Sequence, residues 1–179
     1  MQSIGTTMLQ TAIKRFAVYK DLGDKTFAQL PDAGFLFQPN EASNSIAVII
    51  QHMSGNMLSR WTNFLTEDGE KEWRNRDEEF ESHAYDKTPL LLMWEKGWQC
   101  LFDALNALKE EDLMKTIYIR TEGQLVIDAI HRQLAHYSYH VGQIVYLGRL
   151  IKNNDWQSLS IEKGKSAAYN QQMENKPAF

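Results

Sequence analysis

The stretch RQLAHYSYHVGQIVYLGRL, residues 132–150, places two histidines four positions apart in a well-patterned helix. Positions i and i+4 lie about 40° apart around a helix axis, so the imidazoles of His136 and His140 point the same way. Two neutral imidazoles side by side are poor core filler, because each ring must satisfy a donor and an acceptor. They are good metal ligands, because one cation takes a lone pair from each. The rest of the chain decides between these readings.

The helix carrying the pair is predicted over roughly 124–152, ended by Asn153, Asn154 and Asp155 and followed by a tail containing LSIEKGKSAAYN. Upstream, KTIYIRTEGQ alternates briefly at Ile117, Tyr118 and Ile119, too short a run to predict a sheet. Thr88 and Pro89 read as N-cap and first residue of a helix through PLLLMWEKGWQCLFDALNAL. Its apolar richness makes Cys100 a packing residue rather than a nucleophile. Another helix, IAVIIQHMSGNMLSRWTNFL, follows the cap-rich NEASNS and ends near TEDG, with Gly55 inside it at a cost of roughly 1 kcal/mol relative to Ala. Residues 4–30 carry one apolar stripe, Leu9, Ile13, Phe16, Phe27 and Leu30, interrupted by Lys20 and Gly23. Residues 67–87, EDGEKEWRNRDEEFESHAYDK, form a long charged connection. No internal repeat is visible. Four long helices without a credible sheet predict a single all-α helix-bundle domain over residues 1–179, a class that builds sites from inward-facing side chains on different helices.

Composition narrows the function classes. The chain has 179 residues, 43% apolar and 23% charged, which suits a globular fold. A net charge of −4 offers no basic stripe for nucleic acid. One cysteine excludes an intramolecular disulfide framework and suits a reducing compartment. Charges interrupt MQSIGTTMLQTAIKRF before a signal-peptide core forms, and no apolar run is long enough to span a bilayer. A cytoplasmic protein acting on a small molecule, with neither nucleic acid nor membrane as partner, is expected.

Of the five histidines, His131 faces away from the pair, about 140° from His136 and about 180° from His140. His83 falls in the charged connection and reads as solvated. His52 sits in the middle of an apolar helix, where an imidazole needs a partner. Taken together, His52, His136 and His140 can give a three-nitrogen site from two helices with an open coordination position; the alternative is that the three bind no metal and hydrogen-bond within the core. The zincin pattern fails because Tyr137 stands where its glutamate belongs. Gly164, Lys165 and Ser166 resemble the end of a phosphate loop, but Leu159 replaces the earlier glycine. No nucleophile-elbow sequence supports a serine triad.

VIIQHMSGNMLSRW in the second helix, taken with AHYSYHVGQIVYLGR in the fourth, resembles the DinB-like superfamily. That superfamily includes YfiT-type metal-dependent hydrolases and thiol-dependent transferases. RWTNFLTEDGEKEWRNRDEEF and LSIEKGKSAAYN resemble a bacterial branch without an established activity. The resemblance implies an antiparallel four-helix bundle and a divalent transition metal, zinc or nickel, on His52, His136 and His140. It also implies a homodimer.

A metal with an open position would activate water for hydrolysis or ionise a small thiol for transfer. The competing class is a non-catalytic bundle whose metal or pocket serves binding or stability. Asn56, one turn beyond His52, and Gln143, about 20° from His136 around the helix, are candidates to hold ligands or substrate; ordinary polar packing is the alternative for both. Arg60, Trp73, Arg74 and Arg76 are candidates for an entrance that attracts anions. The reading favoured for that segment is a solvated charged loop, because Glu72, Asp77, Glu78, Glu79 and Glu81 interleave with them.

Overall fold

The computed structural model describes residues 3–81, 83 and 85–174. It is mostly helical, with five α-helices and one two-stranded sheet: α1 (Ile4–Gln29), α2 (Ile46–Trp61), α3 (Lys87–Ala107), β1 (Thr116–Ile119), β2 (Glu122–Leu125), α4 (Val126–Lys152) and α5 (Ser166–Glu174). α2 packs along α3 and α1 along α4, and α2 also meets α4.

Ser3 caps α1 by accepting the Thr6 N–H, and Leu9, Ala12, Phe16, Gly23 and Phe27 form its buried stripe. Gly23 belongs there because a Cβ would overlap the Trp94 ring of α3. Lys20, the other break in the stripe, ion-pairs with Asp24 at 2.8 Å and with Glu95 of α3 at 2.7 Å. Trp94 donates its indole N–H to Asp24 at 2.7 Å.

α2 is buried on almost every side, polar residues included, which makes it the central helix. Ser45 caps it through the Val48 N–H. It stops at Trp61 rather than running on through TNFL, because Thr62 turns extended and Asn63 adopts a left-handed φ of 49°. α3 begins at Lys87, earlier than the Thr88 cap predicts. The cause is tertiary: Lys87 donates to the Leu30 carbonyl at the end of α1, at 2.9 Å, and lies over the Phe35 ring.

KTIYIRTEGQ makes a sheet after all, an antiparallel hairpin pairing Ile117 with Gln124 and Ile119 with Glu122. Its turn residues Arg120 and Thr121 both take positive φ, 55° and 65°. Such turns are normally flagged by Asn-Gly, and neither residue is present. Asp68, far back in the chain, compensates by accepting both turn N–H groups at 2.8 Å, and Gly69 donates to the Tyr118 carbonyl.

α4 buries Val126, Ala129, Ile130, Gln133, Tyr137, His140, Val141, Ile144 and Leu147. The core centres on Phe16, Trp94, Trp98 and Tyr137, whose rings meet edge-on or tilted. None of α5 is buried. Among the described residues no helix is long and apolar enough to cross a membrane.

Candidate metal centre

One turn of α4 separates His136 from His140, and their Nε2 atoms stand 3.0 Å apart. His52 reaches them from α2, with its Nε2 3.3 Å from that of His136. The three rings thus meet through their Nε2 ends, and one ligand nitrogen from each lies within 4.8 Å of the others. Imidazole nitrogens about 2.0–2.1 Å from one tetrahedral ion stand about 3.3–3.4 Å apart, close to the spacing found here. The group could hold a metal ion.

The outer nitrogens explain why the inner ones are available. His52 Nδ1 lies 3.0 Å from Glu79 Oε2, His136 Nδ1 lies 3.3 Å from Gln133 Oε1, and His140 Nδ1 lies 2.9 Å from Gln143 Oε1. Glu79 can only accept, and Gln133 and Gln143 present their oxygens, an arrangement that suits the tautomer with the proton on Nδ1 and the Nε2 lone pair turned inward. An N–H···N bond within the trio would move one proton to Nε2 and leave an Nδ1 lone pair facing an oxygen. Burial, with the neighbouring His140 and His52 adding to it, pushes His136 down to about 3. Burial also pushes His140 down to about 4, opposed by its bond to Gln143. Converging lone pairs repel, and a cation among them relieves that repulsion.

Glu79 belongs to this site although the charged connection reads as solvated in sequence; that reading is corrected here. Arg74, with a side chain only 2% exposed, donates to Glu79 Oε1 at 2.7 Å and to Oε2 at 2.9 Å. Burial opposes ionisation of Glu79, but the bonds from Arg74 and His52 outweigh it and hold the carboxyl below its ordinary value. Gly55 makes the approach possible, because a Cβ there would overlap the Glu79 carboxylate. Phe80 packs its ring against His52 at 4.7 Å between centroids. The connection therefore folds back over α2 and supplies the anchor for its histidine. Trp73, by contrast, is 60% exposed.

His52 and His136 face a cleft of about 430 Å³. Asn56 and Gln133, 6% and 4% exposed, share its lining. Asn56 Oδ1 accepts from the Tyr137 hydroxyl at 3.0 Å, and that hydroxyl accepts the Trp61 indole N–H at 3.2 Å. Burial raises the Tyr137 hydroxyl well above its ordinary range, so it stays protonated and serves as a donor. Arg60, Arg74, Arg76, Arg120 and Arg132 complete the wall. Gln143 lies outside this cleft, where it holds His140 and lines a second hollow with Tyr139 and Tyr146. His131 is exposed, and His83 pairs with Glu78 at 3.1 Å; neither joins the group.

Sequence reasoning missed Gln133 and Glu79. Gln133 had a signal, since it stands three residues before His136 as Gln143 stands three after His140. Glu79 had a weaker one, the Gly55 that leaves room for it beside His52.

A helical protein whose described residues include a three-histidine group able to hold a metal ion is thus defined by its geometry. Residues 3–165 match the family described as "Protein of unknown function (DUF1572)", and the chain belongs to that family. No curated protein matches it.

Proposed function

We propose that this protein is a divalent-metal-dependent enzyme acting on a small molecule, either a hydrolase or a low-molecular-weight thiol transferase. We place its family within the DinB-like superfamily, with α1 to α4 as the antiparallel bundle and a cytoplasmic homodimer as the working form. One observation carries the reading: the Nε2 ends of three histidines converge, two of those histidines line an open cleft, and each Nδ1 faces an oxygen partner. Structural zinc sites close around four protein ligands, whereas catalytic ones keep three and an open position. The group here has three among the described residues, which supports catalysis over a purely structural role. Three imidazoles suit zinc or nickel equally.

Bound there, a divalent metal supplies Lewis acidity that lowers the pKa of a water or thiol toward neutrality. The chain's own side chains have other tasks. Glu79, Gln133 and Gln143 hold the Nδ1 protons and fix the ring planes. Asn56 and Gln133 have committed their oxygens, so their NH2 ends are the ones free to meet a ligand. Glu79 is engaged by Arg74 and His52, and the described lining residues of the cleft are amides, guanidiniums and imidazoles, which bind and orient.

Elemental analysis of gel-filtered protein prepared without a histidine tag tests the reading, with wild type beside His136→Ala. Near-stoichiometric zinc or nickel in wild type, lost in the variant, is expected. Metal-loaded wild type is then expected to hydrolyse esters or amides, or to conjugate a thiol, and to stop on chelation. Wild type that holds no metal and takes up neither added zinc nor added nickel would overturn the site.

A further inference from the structure

The cleft over the histidines is built almost entirely of hydrogen-bond donors. Five guanidiniums wall it, and among the described residues two carboxylates, Glu70 and Glu79, form ion pairs with them. Glu79 is consumed by Arg74. Glu70 is shared between Arg60 at 3.1 Å and Arg120 at 3.1 and 3.5 Å, while Arg60 also donates to the Gly69 carbonyl. Arg76 lies over the Phe80 ring, 5.3 Å from its centroid, and no ion pair involves it among the described residues. Arg132, on α4 one turn before His136, likewise has none. Two of the five charges therefore have no ion pair among the described residues, and the exposed Arg120 is held only by Glu70.

The floor repeats the pattern. Asn56 and Gln133 are buried, and their acceptor oxygens are taken by Tyr137 and His136, which leaves amide N–H groups for a ligand. A cationic ligand would meet no carboxylate among the described lining residues. An anion would find charged donors above and neutral donors below. The volume suits a small molecule, near the lower end of the roughly 300–1,000 Å³ of ligand pockets.

We propose that this cleft selects a small dianion, a dicarboxylate or a phosphate, with Arg76 and Arg132 gripping its anionic oxygens and its reacting end directed to His52 and His136. The proposal rests on the functional reading above only for that reacting end; the anion grip is carried by the arginines and amides.

Calorimetric titration of metal-free protein with succinate, with inorganic phosphate and with uncharged dimethyl succinate tests it. Wild type is expected to bind succinate or phosphate, and whichever binds more tightly identifies the anion type. Dimethyl succinate is expected not to bind. Arg76→Gln and Arg132→Gln are each expected to weaken the anion about tenfold or more, and the double variant further. Both residues lie at the cleft surface, so circular dichroism and melting of the variants should match wild type. Anion binding unchanged in the double variant, or dimethyl succinate binding as well as succinate, would overturn the proposal, as would no anion binding at all. Zinc uptake measured on the same samples separates the two readings. Protein that takes up zinc but binds no dianion refutes this inference and keeps the metal site. Protein that binds the dianion and refuses zinc does the reverse.

Discussion

The two halves of the histidine group are held in different ways. On α4, His136 and His140 and their partners Gln133 and Gln143 all lie on one helix at spacings of three and four residues. Once that helix forms, its backbone places all four, and the bonds are between neutral groups. On the α2 side, His52 depends on Glu79, which comes from the connection 27 positions away and is itself clamped by the buried Arg74. That half brings opposite charges together out of water and holds only while the loop stays folded over α2. Neutral anchors on a helix are cheap and separable, whereas a buried charged anchor fails as a unit.

The largest expected effect follows from that difference. Glu79→Ala would leave Arg74 buried without its carboxylate and should destabilise the protein by about 3–5 kcal/mol, the usual cost of breaking a buried pair. Gln143→Ala removes a neutral bond at the edge of the site and should cost about 1 kcal/mol. Urea denaturation of the two variants checks the contrast, and equal losses would erase the distinction drawn between the halves. Gly55→Ala comes next. In an ordinary helix interior this change stabilises by about 1 kcal/mol, but here the added methyl displaces Glu79. A net destabilisation of about 1–3 kcal/mol is expected, together with weaker zinc binding in a chelator competition. A stabilised Gly55→Ala variant with unchanged zinc affinity would show that Glu79 does not need this contact.

The remaining effect is the pH response of the metal-free protein. His136 and His140 titrate near 3 and 4 in the folded chain, below the ordinary 6.5. As pH falls, the unfolded chain therefore takes up these protons first, so stability is full above about pH 6.5 and declines as the pH drops toward the folded values. Denaturation midpoints at about pH 7.5 and about pH 5 should differ in wild type and converge in the His136→Gln/His140→Gln variant. A drop of the same size in that variant would assign the acid sensitivity to the carboxylates instead.

These outcomes bear on how much was readable beforehand. The α1 stripe, the apolar α2 and the facing of His136 and His140 follow from helical periodicity, which is local and set by backbone geometry alone. The hairpin was not readable, because the positive φ of Arg120 and Thr121 is supported by Asp68 from another part of the chain. The start of α3 was misread by two residues, where Lys87 meets the Leu30 carbonyl from another segment.

By itself, then, the sequence determined a mostly helical protein in which two histidines share a helix face, His52 sits in an apolar helix and the composition is that of a globular chain. Those properties depend on residues a few positions apart. Only the tertiary structure decided that His52 meets the pair Nε2 to Nε2, that Glu79 and Arg74 are buried behind it, and that five arginines converge over the site. Each of these joins residues from separate segments, and charges that look solvated in a run of Glu and Arg become site-forming once the loop folds back and removes their water.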